Sequence, residues 1–220
     1  MSSETTAVLV RMRDVGLALR AAVPYGRSLS RIQLQKFIYL MDSLAVIYNL
    51  LPPSVGHYTF LHGPYDPSIQ SAVDSLAFRG LARITSLVRR ANGNIASEYS
   101  LSTSGERWAL AVRSHPVLSE RNSVAEIVAL QVNRLGWDRL VPLVYAEPTF
   151  LNSRPEGYGK RLKPQRVSLS SSAYLLKLIR QALPTSPELS TRSVVAEYYF
   201  DYLDRYSKAG HPIAPGVANE

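Results

Sequence analysis

An Asn-Gly dipeptide, Asn92-Gly93, separates two short alternating runs in a chain whose other apolar residues mostly recur at helical spacing. The first run covers Arg83 to Arg90 and the second covers Ile95 to Leu101. Asn and Gly readily adopt the positive φ angles of a tight type I′ turn, so this dipeptide between two strand-like runs favours a hairpin. We therefore predict one β-hairpin at about 83–101, set among helices.

Helices are predicted before the hairpin. Apolar residues recur at steps of three and four over residues 7–23, as on one face of a helix. Ser30 and Gln33 form a capping-box pair ahead of a second, longer apolar run. Pro67 suits the first turn of a third helix, because its missing N–H costs nothing there.

The region after the second helix completes the first predicted domain. His57 to Leu61 reads as a short strand before a Gly-Pro turn, and Thr103 with Glu106 forms a capping box for a helix after the hairpin. The order helix, short strand, helix, hairpin, helix is that of a winged-helix domain. We place this domain at residues 1–115, ending at a His-Pro boundary.

The second half is predicted to be helical. Ser123 and Glu126 form a capping pair at the start of a helix in the region 116–210, which contains a basic loop at about 152–172. A flexible tail is expected at 211–220. The predicted fold class is therefore mainly α with a small β-hairpin (α+β), a winged-helix domain followed by a helical C-terminal region.

The sequence lacks the residues and motifs that several kinds of catalytic, metal-binding and nucleotide-binding site require. Without cysteine the chain has no disulfide, zinc ribbon, iron–sulfur cluster or thiol nucleophile. It also lacks the glycine-rich motifs for nucleotide phosphates and the nucleophile elbow of hydrolases. No uncharged apolar window approaches 18 residues. We expect a cytoplasmic protein with no membrane contact, no catalytic residue, no metal and no cofactor.

Two groups of side chains are candidates for a catalytic or metal site. His57 and His62 flank the predicted strand near Asp66, but a separation of five along a strand sends the two rings to opposite faces, so a metal site is not expected. Asp201 and Asp204 lie one turn apart on a predicted helix, without a third acid close by. We interpret them as a solvated helical face rather than a nuclease site.

The basic residues are more informative because they cluster. The chain has 25 basic and 17 acidic residues, and seven basic residues against one acidic residue fall within 154–180. The candidate nucleic-acid or partner-binding residues are Arg89 and Arg90 at the hairpin tip and Lys160, Arg161, Lys163 and Arg166 in the loop. Contact with nucleic-acid phosphates, contact with an acidic protein partner and a merely solvated loop remain alternatives for the basic loop.

The third predicted helix has a surface that is poorly suited to sequence-specific recognition of DNA. Its predicted exposed face is nearly neutral, with one acid in the middle and one base at the end: Ser68, Gln70, Ser71, Asp74, Ser75 and Arg79. A helix in the major groove faces dense phosphate charge. This face therefore favours a protein contact.

Four segments resemble a group of bacterial winged-helix proteins. They are Leu34-Gln35-Lys36-Phe37-Ile38-Tyr39-Leu40, His62-Gly63-Pro64-Tyr65-Asp66, Leu76-Ala77-Phe78-Arg79-Gly80-Leu81 and Tyr99-Ser100-Leu101-Ser102-Thr103-Ser104-Gly105. The likeness covers about residues 30–107 and is greatest to accessory subunits of ABC-three-component and Lamassu-type antiphage systems. Panacea-type antitoxins are more distantly similar. Ser102 and Asp66 depart from the commoner threonine and serine but keep the capping chemistry. The segment 145–150 also resembles these subunits.

The resemblance implies a scaffold without a catalytic centre. Such a subunit would dock on an SMC-like ATPase or an effector subunit of the same operon and contact DNA without sequence preference. A DNA-binding transcription regulator or antitoxin is the first alternative, and an unrecognised enzyme is the second.

Overall fold

The computed structural model describes residues 3–45, 50, 56–89, 95–115, 118–162, 171–183 and 192–209. The helices within these ranges are α1 (Ser3–Ala22), α2 (Arg31–Leu44), α3 (Pro67–Phe78), α4 (Thr103–Ser114), α5 (Ser119–Leu135), α6 (Leu140–Tyr145), α7 (Pro148–Ser153), α8 (Ser171–Ala182) and α9 (Arg192–Lys208). The strands are β1 (Leu29–Ser30), β2 (Ala82–Arg89) and β3 (Ile95–Leu101). The predicted fold class, mainly α with a small antiparallel sheet, is confirmed.

The hairpin lies in a three-stranded sheet of order β1-β3-β2. Ala82 pairs with Leu101 and Arg89 with Ile95, and a bulge interrupts the register between Ile84 and Ser86. The prediction of a hairpin at about 83–101 is confirmed. Its Asn-Gly tip falls outside the described residues. The hairpin packs on α2 and α3.

The third strand of the sheet is not the predicted one. We expected it at 57–61, but β1 is Leu29–Ser30, which pairs with β3. Ser30 is the N-cap of α2 and adopts an extended backbone, so the chain just before the helix can join a sheet edge. Gly63, with φ 90°, instead turns the 57–61 segment back on itself, and Tyr58 N–H donates to the Tyr65 carbonyl at 2.8 Å.

Local helix signals are mostly confirmed. The Ser30 and Gln33 side chains each accept a hydrogen bond from the other residue's backbone N–H, at 3.3 and 2.8 Å, which completes the capping box. Asp66 caps α3 immediately before Pro67. The cap of α4 is Ser102 rather than Thr103: its hydroxyl accepts from Gly105 N–H at 3.0 Å.

Helix α5 begins earlier than predicted. It starts at Ser119, and Ser123 lies inside it with its hydroxyl donating to the Ser119 carbonyl at 3.2 Å. Ser123 therefore satisfies a carbonyl one turn back instead of capping free N–H groups. The earlier start brings Arg121 and Asn122 into buried positions.

The predicted loop at 152–172 is partly ordered by its neighbours. Helix α7 and a following 3₁₀ turn extend to Glu156, and residues 160–162 hydrogen-bond the 57–59 segment. The remainder of this loop, 163–170, lies outside the described residues, as does the predicted tail. Helices α8 and α9 fall within the region 116–210, which was predicted to be helical.

One hydrophobic core runs through the described chain. It includes Phe37 of α2, Val128 of α5, Leu143 of α6 and Phe200 of α9. Residues on both sides of the predicted boundary at 115 therefore share this core, and the division into two domains stays a prediction. No helix in the described ranges combines the length and apolar character needed to span a bilayer.

Candidate functional site

A buried cluster of charges joins α1, α2 and the start of α3. Arg11 is fully buried, and its guanidinium donates to Asp14 at 3.0 Å, to Asp42 at 2.9 Å and to Asp66 at 2.8 Å. All three carboxylates are also buried. Because Asp66 caps α3, this arginine fixes the start of α3 against α1.

A second guanidinium enters the cluster from α5. Arg121 donates to Asp14 at 3.0 and 3.1 Å, to Asp42 at 2.6 Å and to the Met41 carbonyl at 3.2 Å. Burial alone would raise the pKa of Asp42, but Arg11 and Arg121 outweigh it and hold that pKa well below its ordinary value. The two arginines likewise lower the pKa of Asp14, so Asp14 and Asp42 stay ionised and paired.

His57 contacts this cluster rather than a metal. Its Nε2 lies 2.9 Å from Asp42 Oδ2, and its ring meets Tyr39 edge-on at 4.9 Å. Burial lowers the pKa of His57, although the bond to Asp42 opposes that shift. Asp66, the carboxylate close to the two histidines in sequence, is paired with Arg11 at 2.8 Å. Within the described ranges, no group of three or more acidic or histidine side chains has a metal-binding arrangement.

Two of the resembling segments lie against each other. The Gln35 amide donates to the Asp66 carbonyl and accepts from Asp66 N–H, both at 2.9 Å. Lys36 Nζ donates to the carbonyls of His62 and of Pro64, the latter at 3.1 Å. The Leu-Gln-Lys segment of α2 therefore holds the Gly-Pro-Tyr-Asp segment in place through its backbone.

Lys36 carries this contact while almost wholly buried. Burial lowers the pKa of its ammonium to about 7. Gly63 is required beside it, because a Cβ there would lie 2.7 Å from Lys36 Nζ and the backbone has φ +90°.

Glu147 links the same helix to the C-terminal helices. It accepts hydrogen bonds from Tyr39 of α2 at 2.5 Å, from Tyr199 of α9 at 3.0 Å and from the Phe150 N–H of α7 at 3.0 Å, and also from Ser172 of α8. Burial raises the pKa of Glu147 to about 7, although these hydrogen bonds oppose the rise. The resembling segment 145–150 thus has a structural role.

A groove opens between α2, α3 and the 60–65 segment. Its cavity measures about 200 Å³. The residues that line it are Arg31, Ile32, Gln35, Lys36, Phe60, His62, Gly63, Pro64, Tyr65 and Gln70. Arg31 also donates to the Tyr99 hydroxyl of β3 at 2.9 Å, so the groove adjoins the hairpin.

A larger cavity, about 490 Å³, lies between α8 and α9. It exposes the helical stripe of Tyr198, Tyr202 and Tyr206. Asp201 beside them is paired with Arg134 at 2.6 Å. This cavity offers an aromatic surface, whereas the groove beside α2 also contains a buried ammonium.

The predicted basic residues are on two separate elements. Arg89 is exposed at the end of β2. Lys160 and Arg161 are exposed on the segment beside 57–59, where Thr59 N–H donates to the Lys160 carbonyl at 2.8 Å. Arg90, Lys163 and Arg166 lie outside the described residues. Their predicted role in binding stays a prediction.

The hairpin exposes apolar side chains that sequence reasoning did not single out. Ile84, Leu87 and Ile95 are 51, 66 and 71% exposed, and the register places them on the sheet face that also carries Tyr99 and Arg89. We call this set the apolar hairpin face. Alternation predicts a strand, but it does not tell which face another element covers.

Two interpretations of surface residues need correction. Ser68, expected on the exposed face of α3, is buried, because its N–H is bound by the Asp66 cap at 2.9 Å. Asp204, expected to be solvated, is also buried, because Arg139 and Lys208 bind it at 3.0 and 2.5 Å. The rest of the α3 face stays nearly neutral, since Asp74 is paired with Arg31 at 2.7 Å.

Comparison with known proteins found no family model and no curated protein that matches the chain.

Proposed function

We propose that this protein is a non-catalytic, winged-helix accessory subunit of a cytoplasmic prokaryotic antiphage defence complex. It docks on an SMC-like ATPase or effector subunit encoded in the same operon. The order α1-β1-α2-α3-β2-β3-α4, with β3 central in the sheet, supports the winged-helix part. The resemblance of the α2, Gly-Pro and hairpin segments supports the assignment to such complexes.

The apolar hairpin face is the observation that carries the docking role. A wing that tracks DNA needs cations at the phosphates, but this face of the hairpin presents Ile84, Leu87 and Ile95 with Arg89 as its single described cation. The other described cation of the hairpin, Arg83, lies on the opposite face of the sheet. A cluster of exposed apolar side chains marks a protein contact more readily than a solvated surface. The nearly neutral α3 beside it favours the same interpretation.

The buried charges support a structural role rather than catalysis. Arg11 and Arg121 pair with Asp14, Asp42 and Asp66 inside the core, and all five side chains are at most 6% exposed. Groups sealed in this way cannot reach a substrate. They tie α1, α2, α3 and α5 into one rigid body that can present the hairpin.

Non-specific DNA contact is a second part of the proposal. Arg89, Lys160 and Arg161 are exposed, and the chain is strongly basic at a formal charge of +8. Phosphate contacts by such residues give salt-dependent affinity without sequence preference. An operator-binding regulator or antitoxin is less favoured, because the face of α3 that would read bases is nearly neutral, and the neighbouring Arg31 is paired with Asp74 instead of being left for a phosphate.

Co-purification from the native operon tests the proposal. We expect tagged wild-type protein to retain the ATPase or effector subunit, identified by mass spectrometry, and the double variant Ile84→Asp/Leu87→Asp to lose it. Leu130→Asp, at a comparably exposed position on α5, is the matched control and should retain the partner. Retention by the hairpin variant, or purification of the wild type only as a homodimer on one palindromic DNA site, would contradict the proposal.

A further inference from the structure

We propose that the groove between α2, α3 and the 60–65 segment binds an acidic, apolar segment of a protein partner. In this arrangement an apolar side chain rests on Ile32 and Phe60, and a neighbouring carboxylate reaches the Lys36 ammonium. The inference deepens the proposed docking role and rests on it. It adds a second contact with the partner, made by an acidic, apolar segment, next to the apolar hairpin face.

The lining of the groove fits an apolar side chain. Ile32 and Phe60 are large apolar residues whose side chains are 39 and 52% exposed, and Pro64 and Tyr65 also line the groove. The Phe60 and Tyr65 rings pack against each other with their centroids 5.4 Å apart. This contact stabilises the lining of the groove without a ligand. A volume of about 200 Å³ accommodates one or two side chains rather than a folded element.

The charges of the groove select an acidic occupant. None of the described residues that line it is acidic, while Arg31 and Lys36 are basic. Arg31 is already paired with Asp74 at 2.7 Å, so Lys36 is the lining cation that has no carboxylate partner among the described residues. Lys160 and Arg161 extend the positive surface, since the Lys160 carbonyl accepts from the backbone next to Phe60. An anionic segment is therefore favoured by complementarity over a neutral or basic one.

The burial of Lys36 favours a peptide over a nucleic acid. Its ammonium donates to two carbonyls, and the residue is only 3% exposed. An ammonium has three N–H donors, so one remains for a further acceptor. Only a slender group such as a carboxylate on a short stem can reach it, whereas the phosphates of a duplex would stay outside.

A phage-displayed library of random short peptides is the probe for this groove. Selection on the full chain should enrich peptides that combine Asp or Glu with a large apolar residue. Synthetic copies of those peptides should lose about tenfold or more in affinity for Ile32→Ser and Phe60→Ser, because each removes burial of an apolar side chain without adding a charge. Lys36→Met, which keeps the aliphatic stem, should weaken the acidic peptide but not its amide analogue.

Leu130→Asp is the control, and circular dichroism checks that each variant is folded. No enrichment, enrichment of basic peptides, or equal binding by the groove variants and the control would overturn the inference. Displacement of the enriched peptide by a single-stranded oligonucleotide more readily than by a second acidic peptide would assign the groove to nucleic acid instead. If the groove variants keep the operon partner while the hairpin variants lose it, the inference fails and the proposed function stands.

Discussion

Replacing Arg121 with methionine isolates the contribution of the buried charges to stability. The change removes a guanidinium that makes hydrogen bonds to Asp14, Asp42 and the Met41 carbonyl, and it keeps an unbranched, apolar side chain in place of the aliphatic part of the arginine. Because the carboxylates stay behind in the core with one cation fewer, we expect a loss of about 4 kcal/mol in the free energy of unfolding. That is a large part of the 5–15 kcal/mol that holds an ordinary domain folded.

Urea denaturation followed by circular dichroism measures this effect. With an m-value of about 2.5 kcal/mol/M, the loss moves the unfolding midpoint down by about 1.5 M. Arg134→Met is the matched control, since it removes the same side-chain type on the same helix from a half-exposed pair with Asp201. We expect it to cost less than about 1 kcal/mol.

A second substitution tests whether surplus charge causes the loss. In the Arg121→Met background, Asp14→Asn removes the carboxylate left in excess, so the double variant should be more stable than the sum of the single changes by about 1–3 kcal/mol. If Arg121→Met costs no more than Arg134→Met, or if the two changes simply add, the charge network does not work as described.

Three further predictions follow from single features. The lowered pKa of Lys36, about 7 against 10.5 in an unfolded chain, means that the unfolded state holds more protons over this range, so stability rises with pH. From pH 7.5 to 9 the wild type should gain about 2 kcal/mol in urea unfolding relative to Lys36→Met, and parallel curves would contradict the shift. Gly105→Ala should destabilise by about 3 kcal/mol in the same assay, because its Cβ would lie 1.8 Å from the Leu81 carbonyl oxygen; a neutral effect would refute this packing. Lys160→Glu/Arg161→Glu should flatten the log–log salt dependence of DNA binding by the assembled complex by about 1.8, and an unchanged slope would leave these residues as solvated charges.

Local signals were sufficient for most of the secondary structure. The capping box of Ser30 and Gln33, the Asp66-Pro67 helix start and the hairpin all depend on residues close in sequence, so they can be predicted without knowing the tertiary fold. The errors at β1 and at the start of α5 have a different origin. Pairing of Leu29 with Tyr99 and burial of Arg121 depend on distant parts of the chain.

The buried cluster could not be predicted for the same reason. Arg11 and Asp66 are 55 residues apart, and Arg121 and Asp14 are 107 apart, so their pairing is visible only after folding. Without knowledge of this pairing, Asp and Arg residues are expected at the protein surface. One signal was available: Asp42 interrupts the long apolar run of α2, where a charge needs a buried partner.

Only part of the groove between α2, α3 and the 60–65 segment could be predicted from the sequence. The resemblance draws attention to Lys36 and to the Gly63-Pro64 turn. It does not show that Lys36 holds this turn by hydrogen bonds to backbone carbonyls. The periodicity of α2 likewise does not reveal that Ile32 stays partly exposed beside Phe60. Neighbouring segments, rather than the helix itself, decide which apolar residues remain available for a partner.

Photocrosslinking from the hairpin tests the docking role most directly. A photoreactive amino acid at Leu87, a side chain 66% exposed on the apolar hairpin face, is introduced in the native host, with the same group at Leu130 as control. We expect a crosslink from position 87 to the ATPase or effector subunit of the same operon, and none to that subunit from position 130. A crosslink from position 87 to DNA, or to no macromolecule while the complex is intact, would contradict it.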